Sequence, residues 1–140
     1  MGILSDFFIA DGPGVPDYQG GQAVPAEDRC QLKSITPLEA AGMLAVLRGD
    51  DDCLSLLDEF EVLTPENAEE WTMSVPSDMV QRLAAIGPSE VSAVAAEFAT
   101  ATIEELGWSQ DDFEPVVSEL SALAKRAIES GKNMYLWNCL

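Results

Sequence analysis

The two ends of the chain constrain its fold more than anything between them. Ile3 to Ala10 and Met134 to Leu140 are both short and crowded with bulky apolar or aromatic residues. Side chains of that kind suit a pleated, half-buried surface, so each segment is predicted to be a strand. Between them, apolar residues recur at helical spacing in several stretches. Two strand-like ends bracketing amphipathic helices predict that the first and last segments pair as neighbours. The run Trp71-Thr-Met-Ser-Val75 alternates large and small before Pro76 and joins them as a third strand. Strands and helices do not alternate as parallel βαβ units require. The expectation is an α+β fold, mainly helical, with about five helices packed on one face of a small sheet. No internal repeat or boundary divides residues 1–140, which read as one domain.

Helix ends are written clearly in places. Thr36-Pro37-Leu38-Glu39 is a capping box with proline at the first helical position, and Gly49 is its stop. Asp50, Asp51 and Asp52 are read as opening a second helix, striped by Cys53, Leu56, Leu57 and Phe60. Thr64-Pro65-Glu66 signals a single turn. Ser77 is read as the cap of a helix from Asp78 to Ile86, closed by Gly87-Pro88. Ser89 starts the next, which is expected to end at Gly107. Ser109 to Asp112 is a second capping box, opening the longest helix, with Gly131 as its stop. Residues 11–28 hold Asp11-Gly-Pro-Gly-Val-Pro-Asp17, Gly20, Gly21 and Pro25, which exclude a helix or a central strand. They read as a long loop whose role the sequence leaves open.

Three of these stretches also carry a resemblance. Ser5-Asp6-Phe7-Phe8-Ile9-Ala10, the Trp71-to-Pro76 strand with Asp78-Met-Val-Gln-Arg-Leu83, and Gly131-Lys-Asn-Met-Tyr-Leu-Trp137 lie far enough apart that the match spans most of the chain. Together they resemble a family of small uncharacterised bacterial proteins that open with an Asp-Phe-Phe run and close in Tyr-Leu-Trp. The motifs are structural. The resemblance implies one intact domain in a bacterial context and supplies no activity, ligand or catalytic residue.

Charge limits what the domain can do. Seven Lys and Arg face 25 Asp and Glu, a net charge of −18, and there is no histidine. The missing imidazole removes the usual general base, metal ligand and pH switch together. Phosphate backbones are bound by Lys and Arg that release counterions, so direct nucleic-acid binding is not expected. No apolar run approaches the roughly 20 residues that span a bilayer, and no secretory signal is visible. Cys30, Cys53 and Cys139 are odd in number and scattered, which reads as reduced thiols in a cytoplasmic protein.

The candidate functional residues follow from that charge. Carboxylates cluster at Asp50-Asp51-Asp52, Asp58-Glu59-Glu61, Glu66-Glu69-Glu70, Glu104-Glu105 and Asp111-Asp112-Glu114. Some sit in first helical turns, where the dipole favours them by about 0.3–1 kcal/mol each. The excess goes beyond what helix ends need and is read as either a solubilising surface or a patch that meets a basic partner. Calcium-loop and zinc spacings are absent, so no metal or cofactor is expected. Ser-His-Asp and Cys-His catalysis is excluded, and Cys53 and Cys139 read as buried fillers. Trp71 and Trp137 read as sheet core, whereas Trp108 follows Gly107 and is the tryptophan to test for exposure.

The leading expectation is a non-enzymatic, inhibitor- or immunity-like module docking on a basic protein. Its partner-binding residues would be Asp50, Asp51, Asp52, Asp58, Glu59, Glu61 and Trp108. The alternatives are a nucleic-acid mimic and a small Asp/Glu-dependent hydrolase.

Overall fold

The structure is a computed structural model describing residues 4–11, 24–50, 54–64, 70–103 and 106–139. Four strands, β1 (Leu4–Ala10), β2 (Arg29–Lys33), β3 (Glu70–Ser74) and β4 (Asn133–Cys139), form one antiparallel sheet in the order β2-β1-β4-β3. The helices are α1 (Pro37–Arg48), α2 (Ser77–Ala84), α3 (Val91–Ala101) and α4 (Gln110–Ser130). A six-residue 3-10 helix, Leu54–Glu59, makes a fifth helical element, and single 3-10 turns lie at Ala26–Asp28 and Pro88–Glu90. The expected α+β, mainly helical architecture is what the chain adopts.

The first and last strands pair along their whole length, from Leu4 opposite Cys139 to Ala10 opposite Asn133. Together they form the middle of the sheet. Successive side chains point to opposite faces. Phe7, Ile9, Met134 and Leu136 enter the main core, and Phe8, Tyr135 and Trp137 form a second cluster with Val24 on the far side. Phe8 and Tyr135 face one another across the strands with ring centroids 5.4 Å apart. Burial of both faces explains why Phe7-Phe8-Ile9 runs on without the alternation of a half-buried strand. Trp137 is sheet core as expected, while Trp71 is half-buried against the main cluster.

The helices cover one face. Helix α4 lies against β1, β2 and β4 and packs along α2 and α3. Its buried stripe, Phe113, Val116, Val117, Leu120, Leu123, Ala124 and Ala127, repeats every three or four residues. Ser109 and Asp112 make both halves of the expected capping box, and Gly131 closes the helix at φ 68°. Gly49 closes α1 in the same left-handed conformation, φ 71°, which glycine adopts without the usual Cβ clash.

Several local readings need correction. Thr36 precedes α1, but its hydroxyl donates to the Glu39 carboxylate instead of capping the third amide. Pro76, not Ser77, is the residue before α2. Helix α3 ends at Ala101, although Gly107 does adopt the left-handed conformation, at φ 68°. The helix read from Asp50 is described only as the 3-10 helix at Leu54–Glu59; Asp51, Asp52 and Cys53 lie outside the described residues. The turn at Pro65 and Glu66, with Glu69, Glu104 and Glu105, also lies outside them. Strand β2 was not foreseen. At β3's outer edge, Glu61 to Leu63 adds a short bridge through Leu63 N to Thr72 O and Ser74 N to Glu61 O, both 2.8 Å.

One buried polar network locks the terminal strands to the segment just before α1. Ser5 Oγ accepts from the Ile35 amide at 2.8 Å. The Asn138 side-chain amide donates to Ile35 O at 2.9 Å and to Ser5 Oγ at 3.3 Å. Ser5 and Asn138 are both buried, so deleting either strands a backbone group away from water. Ser5→Ala and Asn138→Ala are each expected to lower unfolding free energy by about 1–3 kcal/mol in urea titrations. Because they share a bond, the double variant should lose less than the sum.

Candidate functional site

Most of the cations in this chain hold it together. Arg48, near the end of α1, makes two forked pairs with one guanidinium. It meets Glu59 at 2.6 and 2.7 Å and Asp78 at 2.7 and 2.8 Å, joining α1 to the 3-10 helix and to α2. Arg82 adds a weaker contact to Asp78 at 3.5 Å and donates to Leu47 O at 3.1 Å. Hydrogen bonding to Arg48 holds the Glu59 and Asp78 carboxyls below the usual carboxylate range, against the opposing effect of burial. In a second brace, buried Asp28 accepts from Arg126 at 2.7 Å and Lys132 at 3.1 Å. That pins the turn before β2 to the end of α4.

Four of the seven cations are therefore committed to three carboxylates. Arg29 donates to Val24 O at 3.4 Å, which ties it to its own loop. Among the described residues, no ion pair reaches exposed Asp58, Glu61, Glu90, Glu97, Asp111, Glu119 or Glu129.

The residues read from sequence as a partner site are distributed as follows. Asp50 is exposed just beyond α1, and Asp58 and Glu61 are exposed on or just after the 3-10 helix. Glu59 belongs to the Arg48 brace, and Asp51 and Asp52 lie outside the described residues. Trp108 is half-buried and rests on Phe113, with ring centroids 5.1 Å apart, so it packs on the core at the start of α4.

Several concavities carry acids, among them one lined by Glu27 and Glu119 and one lined by Glu90 and Glu97. A groove of about 590 Å³ runs between α1 and α3, lined by Gly42, Ala45, Val46, Gly49 and Asp50 on one side. Ala96, Glu97, Thr100 and Ala101 line the other. Another, about 310 Å³, lies on the sheet's far face beside Asp6, Gln31, Lys33 and Trp137. Asp6 is 4 % exposed and accepts from Gln31 Nε2 at 3.4 Å. Sequence reasoning did not single out Asp6 or Glu97. The available signal for Asp6 was a carboxylate interrupting a strand of bulky apolar residues.

Acid–base catalysis by paired carboxylates needs two of them converging in a cleft. Asp50 and Glu97, Glu27 and Glu119, and Glu90 and Glu97 each share a concavity but all are exposed, while Asp6 is the one acid among the described residues lining its cavity. Among the described residues, no group of three or more His, Cys, Asp or Glu is gathered to hold a metal ion, and no helix is long and apolar enough to cross a membrane. No protein-family model, curated protein or solved structure matches the chain.

Cys30 is buried and its thiol donates to Glu119 Oε2 at 3.1 Å. Burial pushes the thiol well above its ordinary range, and the Glu119 carboxylate adds to the shift. A thiol held protonated is a poor nucleophile. In a Cys53→Ser/Cys139→Ser background, iodoacetamide should label Cys30 only as fast as the protein opens, and denaturant should accelerate labelling.

Asp28 gives a pH signature. Its carboxyl is held below the ordinary value first by the Arg126 hydrogen bond and then by Lys132, which outweigh burial. A folded value below the unfolded one, about 3.9, stabilises the protein above that pH. The benefit disappears as pH falls through the depressed value. Asp28→Asn should therefore cost about 2 kcal/mol near neutrality, with the gap from wild type closing in acid, as read by chemical denaturation across pH.

Proposed function

We propose that this protein is a non-enzymatic binding module that docks its carboxylate surface on a basic protein, in the manner of an inhibitor or immunity protein. The observation that carries the reading is the disposition of charge. The chain has 18 more acids than bases, and four of its seven cations are occupied in bracing its own elements. What remains outside is predominantly anionic, and such a surface repels copies of itself and nucleic acid while attracting cationic proteins. A partner with a basic groove, such as a nucleic-acid-handling enzyme, offers the matching field. Complementarity of this kind chiefly raises the association rate and specificity.

Asp58 and Glu61 contribute as exposed, uncommitted charges, whereas Glu59 contributes to the brace and Trp108 to packing. The test is capture of partners from a bacterial lysate on the immobilised protein. Raising salt from about 0.1 M to about 1 M shortens the Debye length from about 10 Å to about 3 Å. A specific basic protein retained at the lower salt and released at the higher is expected. Retention that ignores salt, or a retained partner without a basic surface, would refute the reading.

A further inference from the structure

Resting on that reading, we propose that the groove between α1 and α3 is where a partner's amphipathic helix docks, with its lysine or arginine side chains laid along the groove. The argument begins with spacing. Gly42, Ala45 and Val46, at i, i+3 and i+4, form one stripe of α1, and Gly49 and Asp50 continue the wall just past the helix end. Ala96, Glu97, Thr100 and Ala101 form the facing wall on α3. The helices come close at one end, where a Cβ added to Gly42 would sit 3.5 Å from Thr102 Cγ2. Beyond that point nothing larger than valine, threonine or the two acids lines the space, and about 590 Å³ stays open.

The lining selects its occupant. Glycine, alanine and valine offer an apolar floor, with a carboxylate on each wall, Asp50 on α1's side and Glu97 on α3's. Among the described lining residues there is no cation. A lysine or arginine side chain is the natural complement, since its methylene stem covers apolar surface while its charged head seeks an acid or water. Small residues along a helix allow the close backbone approach that helix packing at 8–10 Å requires. A helix seated in an apolar groove, read through anchors one turn apart, is an established mode of recognition. A neutral apolar helix would leave Glu97 facing nonpolar surface, and an acidic one would be repelled.

The probe is a fluorescein-labelled synthetic helical peptide with leucine on one face and lysine on the other, titrated by anisotropy at low and high salt. Ala96→Gln/Ala101→Gln fills the groove with neutral side chains at a half-exposed and an exposed position. Glu97→Lys reverses the wall charge, and Glu129→Lys makes the same charge change on the last turn of α4. Circular dichroism checks that each variant folds. Groove docking predicts that the filling variant and Glu97→Lys each weaken binding by about tenfold or more, against less than about twofold for Glu129→Lys. Amide shifts on adding peptide should centre on residues 42–50 and 96–101. Equal losses for the two charge reversals with no effect of filling would overturn the groove while leaving electrostatic docking intact. Absence of peptide binding to the wild type would also overturn it, and the salt-dependent capture of partners would still judge the broader reading separately.

Discussion

The pairing of β1 with β4 is the contact on which the rest of the molecule is built. β2 joins the sheet only through β1, and β3 joins it only through β4. The two central strands bring Phe7, Ile9, Met134 and Leu136 to the helical side and Phe8, Tyr135 and Trp137 to the other. A residue pair at each step of this ladder also brings together segments more than a hundred residues apart, so closing it costs loop entropy. Apolar burial on both faces offsets that cost, at about 1.5–3 kcal/mol for each large side chain removed from water. The Ser5–Asn138–Ile35 network adds directionality, because a one-residue slip of β4 would turn Asn138 away from its acceptors.

Charge works against this scaffold. Carboxylates in such excess repel one another and favour expansion. The cations are placed where separate elements meet: Arg48 at the junction of α1, α2 and the 3-10 helix, and Arg126 and Lys132 at the junction of α4, β4 and the turn before β2. Exposed pairs of this kind are individually weak. The Asp28 cluster differs, because its carboxylate is buried and would face desolvation without both partners. Few cations placed at junctions leave the outer surface anionic while the framework stays closed.

Much of the architecture was legible in sequence because the signals were local. Capping boxes, stop glycines and bulky apolar ends reported α1, α4 and the two central strands, and two apolar termini implied their pairing. β2 escaped because Arg29-Cys-Gln-Leu-Lys33 is short and largely polar, as an edge strand is, and its identity comes from the ladder with β1. The 3-10 helix at Leu54–Glu59 shares the apolar spacing of an α-helix over so few residues that spacing alone cannot separate them. The groove escaped for a different reason. Alanine and glycine at helical spacing read as ordinary helix interior, and only the placement of α1 beside α3 turns that stripe into the wall of a groove. Glu59 and Trp108 looked available in sequence because their partners, Arg48 and Phe113, are set by tertiary packing.

The central ladder also fixes an order of events during synthesis. β1 and β2 are both made by residue 33, so that hairpin is free to form while most of the chain is still untranslated. The other side of β1 must wait for residues 133–139. At about 5–20 residues per second, that leaves a sticky apolar strand without its permanent neighbour for several seconds. A nascent chain of this design would therefore lean on ribosome-bound chaperones early and mature its tertiary structure late.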